Sequence, residues 1–180
     1  MKKILYVLSL ILILQFTGCI VFHSVSYEVN VNDDGTGTAL LTIEDINSDG
    51  TTKDAIDEDV KNIMEYALTS KEFIDGLEAE GKSKVSRNIF IEKEKLNATV
   101  SYWFVEISRV EGMQFEDPNY YLTIPVEDSI ISTNGQITKT SEYKRIVWDK
   151  SIKTLKFKMY SDDTNRAGLT SLAPYYLKEN

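Results

Sequence analysis

The 180-residue chain carries 28 acidic residues against 20 basic ones, a net charge of −8, and is 42% hydrophobic. Such acidity repels phosphate backbones, and no Lys/Arg stripe is dense enough to overcome it, which argues against a nucleic-acid partner. A single cysteine cannot form an internal disulfide, and a single histidine, His23, cannot supply a histidine-based metal centre.

The chain opens with Lys2 and Lys3 and then an apolar run, ILYVLSLILIL from Ile4 to Leu14. Eleven residues fall short of the roughly 20 that a membrane-spanning helix needs. A short positive region, a short apolar core and small residues describe a secretory signal. Here the small residues Thr17 and Gly18 lead directly into Cys19. Phe16, Thr17, Gly18 and Cys19 resemble the lipobox of bacterial lipoproteins, although Phe16 stands where leucine is commoner. The resemblance implies diacylation of the Cys19 thiol, cleavage between Gly18 and Cys19, and usually acylation of the new amino group. Two acyl chains make a stable anchor, since burial contributes about 0.8 kcal/mol per methylene and one chain holds only reversibly. An ordinary secretory signal with an incidental cysteine, or a buried cysteine in a cytosolic core, is the alternative.

This predicts a signal peptide over 1–18, a lipidated N-terminus and short linker over 19–23, and a single domain over 24–180. The protein is then attached to a membrane through Cys19 in a bacterial cell envelope, and to the outer membrane in a diderm cell, because position 20 is not Asp. Loss of Lys2 and Lys3 leaves 18 basic against 28 acidic residues, a net charge of −10. With no disulfide the fold rests on its core.

In SVSYEVNVN, Val25, Tyr27, Val29 and Val31 alternate with polar residues, the period of a half-buried strand. DDGTG, Asp33 to Gly37, supplies turn residues, and Ala39, Leu41 and Ile43 alternate again, so a hairpin is predicted. Beyond NSDGTT the period becomes helical: Ile56, Val60, Ile63, Met64, Ala67 and Leu68 form one stripe behind the acidic Asp54, Asp57, Glu58 and Asp59. Thr69 with Glu72 fits a capping box for a second helix, carrying Phe73, Ile74 and Leu77, which Gly81 ends. Strands resume near Val85. ATVSYWFVEI is apolar on both faces, with Val100, Tyr102 and Phe104 on one and Trp103, Val105 and Ile107 on the other, and reads as a central strand covered on both sides. Pro125 suits a strand end, Asn134 and Gly135 a hairpin turn, and Leu155, Phe157 and Met159 the last clear strand. The tail from Asp162 has room for a short docked helix. The predicted fold is α+β, a mainly antiparallel β-sheet with two consecutive helices packed on it.

The N-D-D-G-T-G-T turn and the T-I-E-D-I strand end, following a lipobox closely, also resemble uncharacterised bacterial lipoproteins whose mature part opens with a "DGSGT" hairpin, as in mycobacterial LppM-type lipoprotein domains. That similarity covers residues 1–46 and carries no catalytic residues.

His23 stands four positions beyond Cys19, so a triad built on it would sit against the membrane without a second histidine. There is no G-x-S-x-G, no P-loop and no G-x-G-x-x-G after a strand. Carboxylate pairs are abundant and therefore uninformative. Asp45, Asn47 and Asp49 with Gly50 spell D-x-N-x-D-G, the oxygen spacing that opens a calcium loop. Ile56 stands where such a loop places its bidentate glutamate, and a polar turn followed by helix-capping acids accounts for the same residues. Calcium is thus the only cofactor the sequence suggests. The tyrosine pairs of PNYYLTIP and APYYLKE suit either packing or stacking on sugar rings or a partner protein. Together these features predict a lipid-anchored, non-enzymatic binding or assembly module with an envelope protein or glycan partner. The alternative is an acid-dependent envelope hydrolase using carboxylates.

Overall fold

The computed structural model describes residues 20–160 and 168–179. The predicted signal peptide, 1–18, and Cys19 lie outside the described residues. β1 (Ile20–Val31) and β2 (Gly37–Ser48) form the expected hairpin, paired from Val31 with Gly37 to Ile20 with Ser48. Gly35, at φ 83°, allows the chain to reverse, and the Asp34 carboxylate accepts from the Thr36 amide and hydroxyl. Strand β1 starts at Ile20, so residues 20–23 are part of the sheet, where a linker was expected. Cross-strand pairing with Ile46, Asn47 and Ser48 gives those backbone groups partners that a linker would leave to water.

The hairpin lies within a large antiparallel sheet that also contains β3 (Lys82–Glu92), β4 (Lys95–Phe104), β7 (Ser129–Thr133) and β10 (Thr154–Tyr160), in the order β3-β4-β2-β1-β10-β7. A short β11 (Thr170–Ser171) pairs with the end of β2. A second antiparallel sheet holds β5 (Gln114–Glu116), β6 (Asn119–Pro125), β8 (Gln136–Lys139) and β9 (Tyr143–Asp149), in the order β5-β6-β9-β8. The protein is therefore α+β and mainly antiparallel as predicted, but with two sheets. Asn134 and Gly135 make no hairpin, because β7 belongs to the large sheet and β8 to the small one. They form the corner where the chain changes sheets. Pro125 ends β6.

Among the described residues there are three helices, where two were expected. α1 (Lys53–Lys61) widens into a π-helical segment over Asn62–Thr69; α2 (Lys71–Ala79) follows at once, and α3 (Ala173–Glu179) comes from the tail. Ser70, not Thr69, caps α2. Its extended backbone aims the hydroxyl at the Glu72 amide, 3.0 Å away, whereas the Thr69 hydroxyl donates back to the Glu65 carbonyl. No helix among the described residues is long and apolar enough to cross a membrane.

One face of the large sheet is buried, in two parts. At the hairpin-turn end, Tyr27, Val29, Leu41, Phe104, Leu155 and Phe157 pack against Leu122, Ile124, Ile146 and Trp148 of the small sheet. At the other end Ile46, Ile89 and Leu96 pack against Val60 and Ile63 of the first helix and Leu172 and Ala173 of the tail. Along β2 the buried residues change from odd, Ala39 and Leu41, to even, Ile46 and Ser48. Extended residues alternate strictly, so the change needs one residue to leave the extended region, and Asp45 does so at φ 59°.

The opposite face carries Glu28, Asn30, Thr38 and Leu40, the last 42% exposed, together with Lys156. Strand β4 is internal in its hydrogen bonding but buried on one face only: Trp103 is half-buried, and Val105, just past the strand, is 52% exposed. Ile107 reaches the interior from a turn of 3₁₀ helix, Ile107–Arg109. Aromatic and β-branched residues suit the pleated surface of a strand whether or not that face is covered, and so the run looked apolar on both sides.

Candidate functional site

A groove of about 890 Å³ opens at the hairpin-turn end of the sandwich. Its walls are the β1–β2 turn with Asp33 and Asp34, the segment after β4 with Val105 and Glu106, the β5–β6 hairpin with Phe115 and Asp117, and the β9–β10 turn with Asp149, Lys150 and Lys153. Strand β1 joins this tip to Ile20. Eleven steps at about 3.3 Å separate Ile20 from Val31, roughly 36 Å.

The polar side chains of the rim are held by local bonds. Lys153 bonds Asp33 at 2.7 Å and Lys150 bonds Asp117 at 2.6 Å, and these contacts raise both ammonium pKa values. All four groups are exposed, so water and salt screen the pairs. Hydrogen bonds from Thr36 hold the Asp34 carboxyl below the usual range, and those from Ser151 do the same for Asp149. Counted around the groove, Asp33, Asp34, Glu106, Asp117 and Asp149 face two lysines. The lining also carries apolar residues. Six large apolar side chains are exposed among the described residues, and two of them, Val105 and Phe115, line this groove. The Phe115 ring leans on Tyr120, 4.8 Å between centroids.

Asp45 and Asn47 lie in β2, not in a loop. The Asp45 carboxylate is held by Lys95 at 2.8 Å, and the Asn47 amide donates to the Asp45 carbonyl at 2.7 Å. Asp49 is exposed beyond the strand end. Strand pairing on both sides holds Asn47 in β2, next to Asp45 at its positive φ, while Asp49 stands past the strand end. Among the described residues no group of three His, Cys, Asp or Glu side chains is placed to hold a metal ion. Both tyrosine pairs pack. Tyr120 is buried, Tyr121 lies under the Arg145 guanidinium at 4.5 Å, and the Tyr176 hydroxyl donates to the Ile89 carbonyl at 2.9 Å. His23 is half-buried in β1 and stacks on Tyr160.

Two carboxyl groups that the motifs did not single out have raised pKa values. Burial pushes Glu111 up, against the Tyr27 hydroxyl and the Lys82 ammonium, which pull it down. Glu111 and Gly112 both adopt positive φ, 49° and 69°, and this tight reversal sets Val110 and Met113 into the core. Close by, the Tyr102 hydroxyl is buried without a hydrogen-bond partner, and Lys82, only 5% exposed, bonds Glu80 at 2.8 Å. Asp59 is raised by burial too. One of its oxygens accepts from the Ser48 hydroxyl at 2.5 Å and the other has no partner. The signal in the sequence was slight: an acidic residue inside an apolar helical stripe, and a Glu-Gly step.

No family model matches the chain, and a search of curated proteins finds no match.

Proposed function

We propose that this protein is a lipid-anchored cell-envelope module, held through Cys19 and non-enzymatic, that presents the groove to a binding partner. In a diderm cell we place it on the outer membrane. The observation that carries the proposal is the course of β1, which enters the sheet one residue after Cys19 and ends at the groove about 36 Å away. An acyl chain on Cys19 would hold one end of the sandwich at the bilayer and leave the groove at the far end. An enzymatic role is less well supported. A general acid needs a raised pKa, whereas Asp34 and Asp149 are held low, and the raised carboxyls Asp59 and Glu111 do not line the groove.

The test is metabolic labelling with a palmitate analogue in the wild type and in Cys19→Ser. The wild type takes up label and fractionates with membranes, and the serine variant accumulates unlabelled as precursor, because a hydroxyl replaces the thiol poorly in this transfer. Equal labelling of the two proteins overturns the anchor.

A further inference from the structure

Resting on that reading of the groove as the binding site, we infer that its ligand is a basic segment of another envelope protein, carrying lysine or arginine beside a large apolar side chain. The first ground is charge. Five carboxylates and two lysines line the groove, and Arg109, just outside it, bonds Glu106 at 3.0 Å, which leaves a net of −2 within a chain that is itself strongly acidic. Both lysines are already bonded to carboxylates, Lys150 to Asp117 and Lys153 to Asp33. Asp34 and Asp149 are bonded instead to the amides and hydroxyls of their own turns, which keep them ionised; Asp149 also feels the charge of neighbouring Lys150, whose ammonium is bonded to Asp117, and neither carboxylate is itself bonded to a lysine. An anionic glycan strand would meet this rim against its charge. A neutral one would leave the net −2 unused.

The second ground is the apolar part of the lining. Val105 and Phe115, about half exposed, stand together in one concavity instead of scattered over the surface, and an apolar side chain is what covers them. A small polyamine would satisfy the rim and leave these two residues wet. A basic peptide with an apolar anchor meets both, with the anchor buried at the centre and the charges at the edge, as in protein interfaces generally. The opposite charges also speed the encounter of a surface-tethered protein with its partner.

The experiment uses the full acylated chain in non-ionic detergent, with empty micelles subtracted. The probes are a short fluorescein-labelled peptide alternating lysine with leucine, the same peptide with glutamate for lysine, and an N-acetylglucosamine oligomer. The lysine peptide is expected to bind about tenfold or more tightly than the glutamate peptide, and to weaken as salt is raised. Asp34→Asn with Asp149→Asn keeps the acceptors of both turns and removes two charges; it should weaken binding about tenfold, and Phe115→Ser should do the same. Glu65→Gln with Asp75→Asn removes the same charge on the helices, outside the groove, and should change binding less than about twofold. Melting curves of all variants should match the wild type, since each altered side chain is at least partly exposed.

Equal weakening by the helix variant overturns the proposal, because the protein's overall field would then suffice. So does binding of the lysine peptide that ignores Phe115→Ser. Binding of the sugar oligomer that depends on Phe115, without binding of the lysine peptide, makes the ligand a glycan. None of these results bears on acyl labelling at Cys19, so the anchor and the ligand stand or fall separately.

Discussion

The indole N–H of Trp148 donates to the side-chain oxygen of Asn134 across 2.8 Å, and that oxygen also accepts from the Lys156 amide at 2.8 Å. The other half of the same amide donates to the Thr154 carbonyl. Asn134 thus ties β10 of the large sheet to β9 of the small one at the point where the chain passes between them. Trp148 is fully buried, and its N–H would otherwise have no partner.

Asn134→Ala is expected to cost about 2 kcal/mol, since it strands a buried indole N–H and frees two backbone groups that water can reach. Asn134→Asp keeps the acceptor and should cost less. Gly135→Ala is expected to be worse than either, because a Cβ there would stand 2.7 Å from both Ile146 Cγ2 and Trp148 Nε1, and neither fully buried side chain can retreat. Urea midpoints read from tryptophan fluorescence check the ranking. An unperturbed Asn134→Ala protein would remove Asn134 as a tie between the sheets.

Phe104 has no exposed surface, and its ring tip lies 2.6 Å from where a Cβ on Gly37 would stand. Phe104→Asp should abolish cooperative unfolding, because an unpaired charge at this depth costs several kcal/mol, comparable with the stability of a whole domain. Gly37→Ala should also be strongly destabilised, and Phe104→Leu should not rescue it: the nearer obstacle is the Asn30 carbonyl oxygen, at 2.1 Å. Thermal melts of the two single variants and the double variant decide this. Recovery in the double variant would show that the ring, not the backbone, sets the requirement for glycine.

Glu111 titrates above its ordinary value of 4.5 because it is buried. Between 4.5 and its folded value, the native state holds a proton that the unfolded chain has lost. Stability therefore falls as pH rises through that window and levels off above it. Glu111→Gln keeps an acceptor for the Tyr27 hydroxyl and removes the titration. Its stability relative to the wild type should improve as pH rises above 4.5 and level off once the folded value of Glu111 is passed, with no such trend below. Asp59 contributes with the same sign from its ordinary value of 3.8, so part of the slope should survive in Glu111→Gln and disappear when Asp59→Asn is added. Denaturant midpoints across this range measure it, and a pH-independent offset would mean that the carboxyl is well hydrated.

Calcium is expected to raise the melting temperature no more than magnesium does at matched ionic strength, with the same response in Asp45→Ala with Asp49→Ala. Lys95 already neutralises Asp45, and strand pairing holds Asn47. A calcium-specific rise lost in the double variant would show that Asp45 and Asp49 do bind the cation.

What could be read from the sequence alone was whatever depends on neighbours in the chain. The alternation of Val25 to Val31 and of Leu155 to Met159, the glycine-rich turn at Asp33 to Gly37 and the helical stripe from Ile56 to Leu68 each record a local period, and each became the expected element. The capping residue was misplaced by one position, Thr69 for Ser70, because both are short hydroxyl residues and only the backbone angle at 70 selects between them. Tertiary structure decided everything that depends on residues distant in the chain. An Asn-Gly pair allows a tight turn without saying whether the next strand returns to the same sheet; that choice was made by Trp148 and Lys156, which bond Asn134 from two other strands. D-x-N-x-D-G has the spacing of a loop, yet pairing with β1 and β11 drew its first half into a strand, and Lys95, fifty residues away, took the carboxylate. The groove is built from three turns and the segment after β4, and only the Asp33–Gly37 turn among them stood out in the sequence. They share one end of the sandwich because antiparallel strands return their turns to the same side.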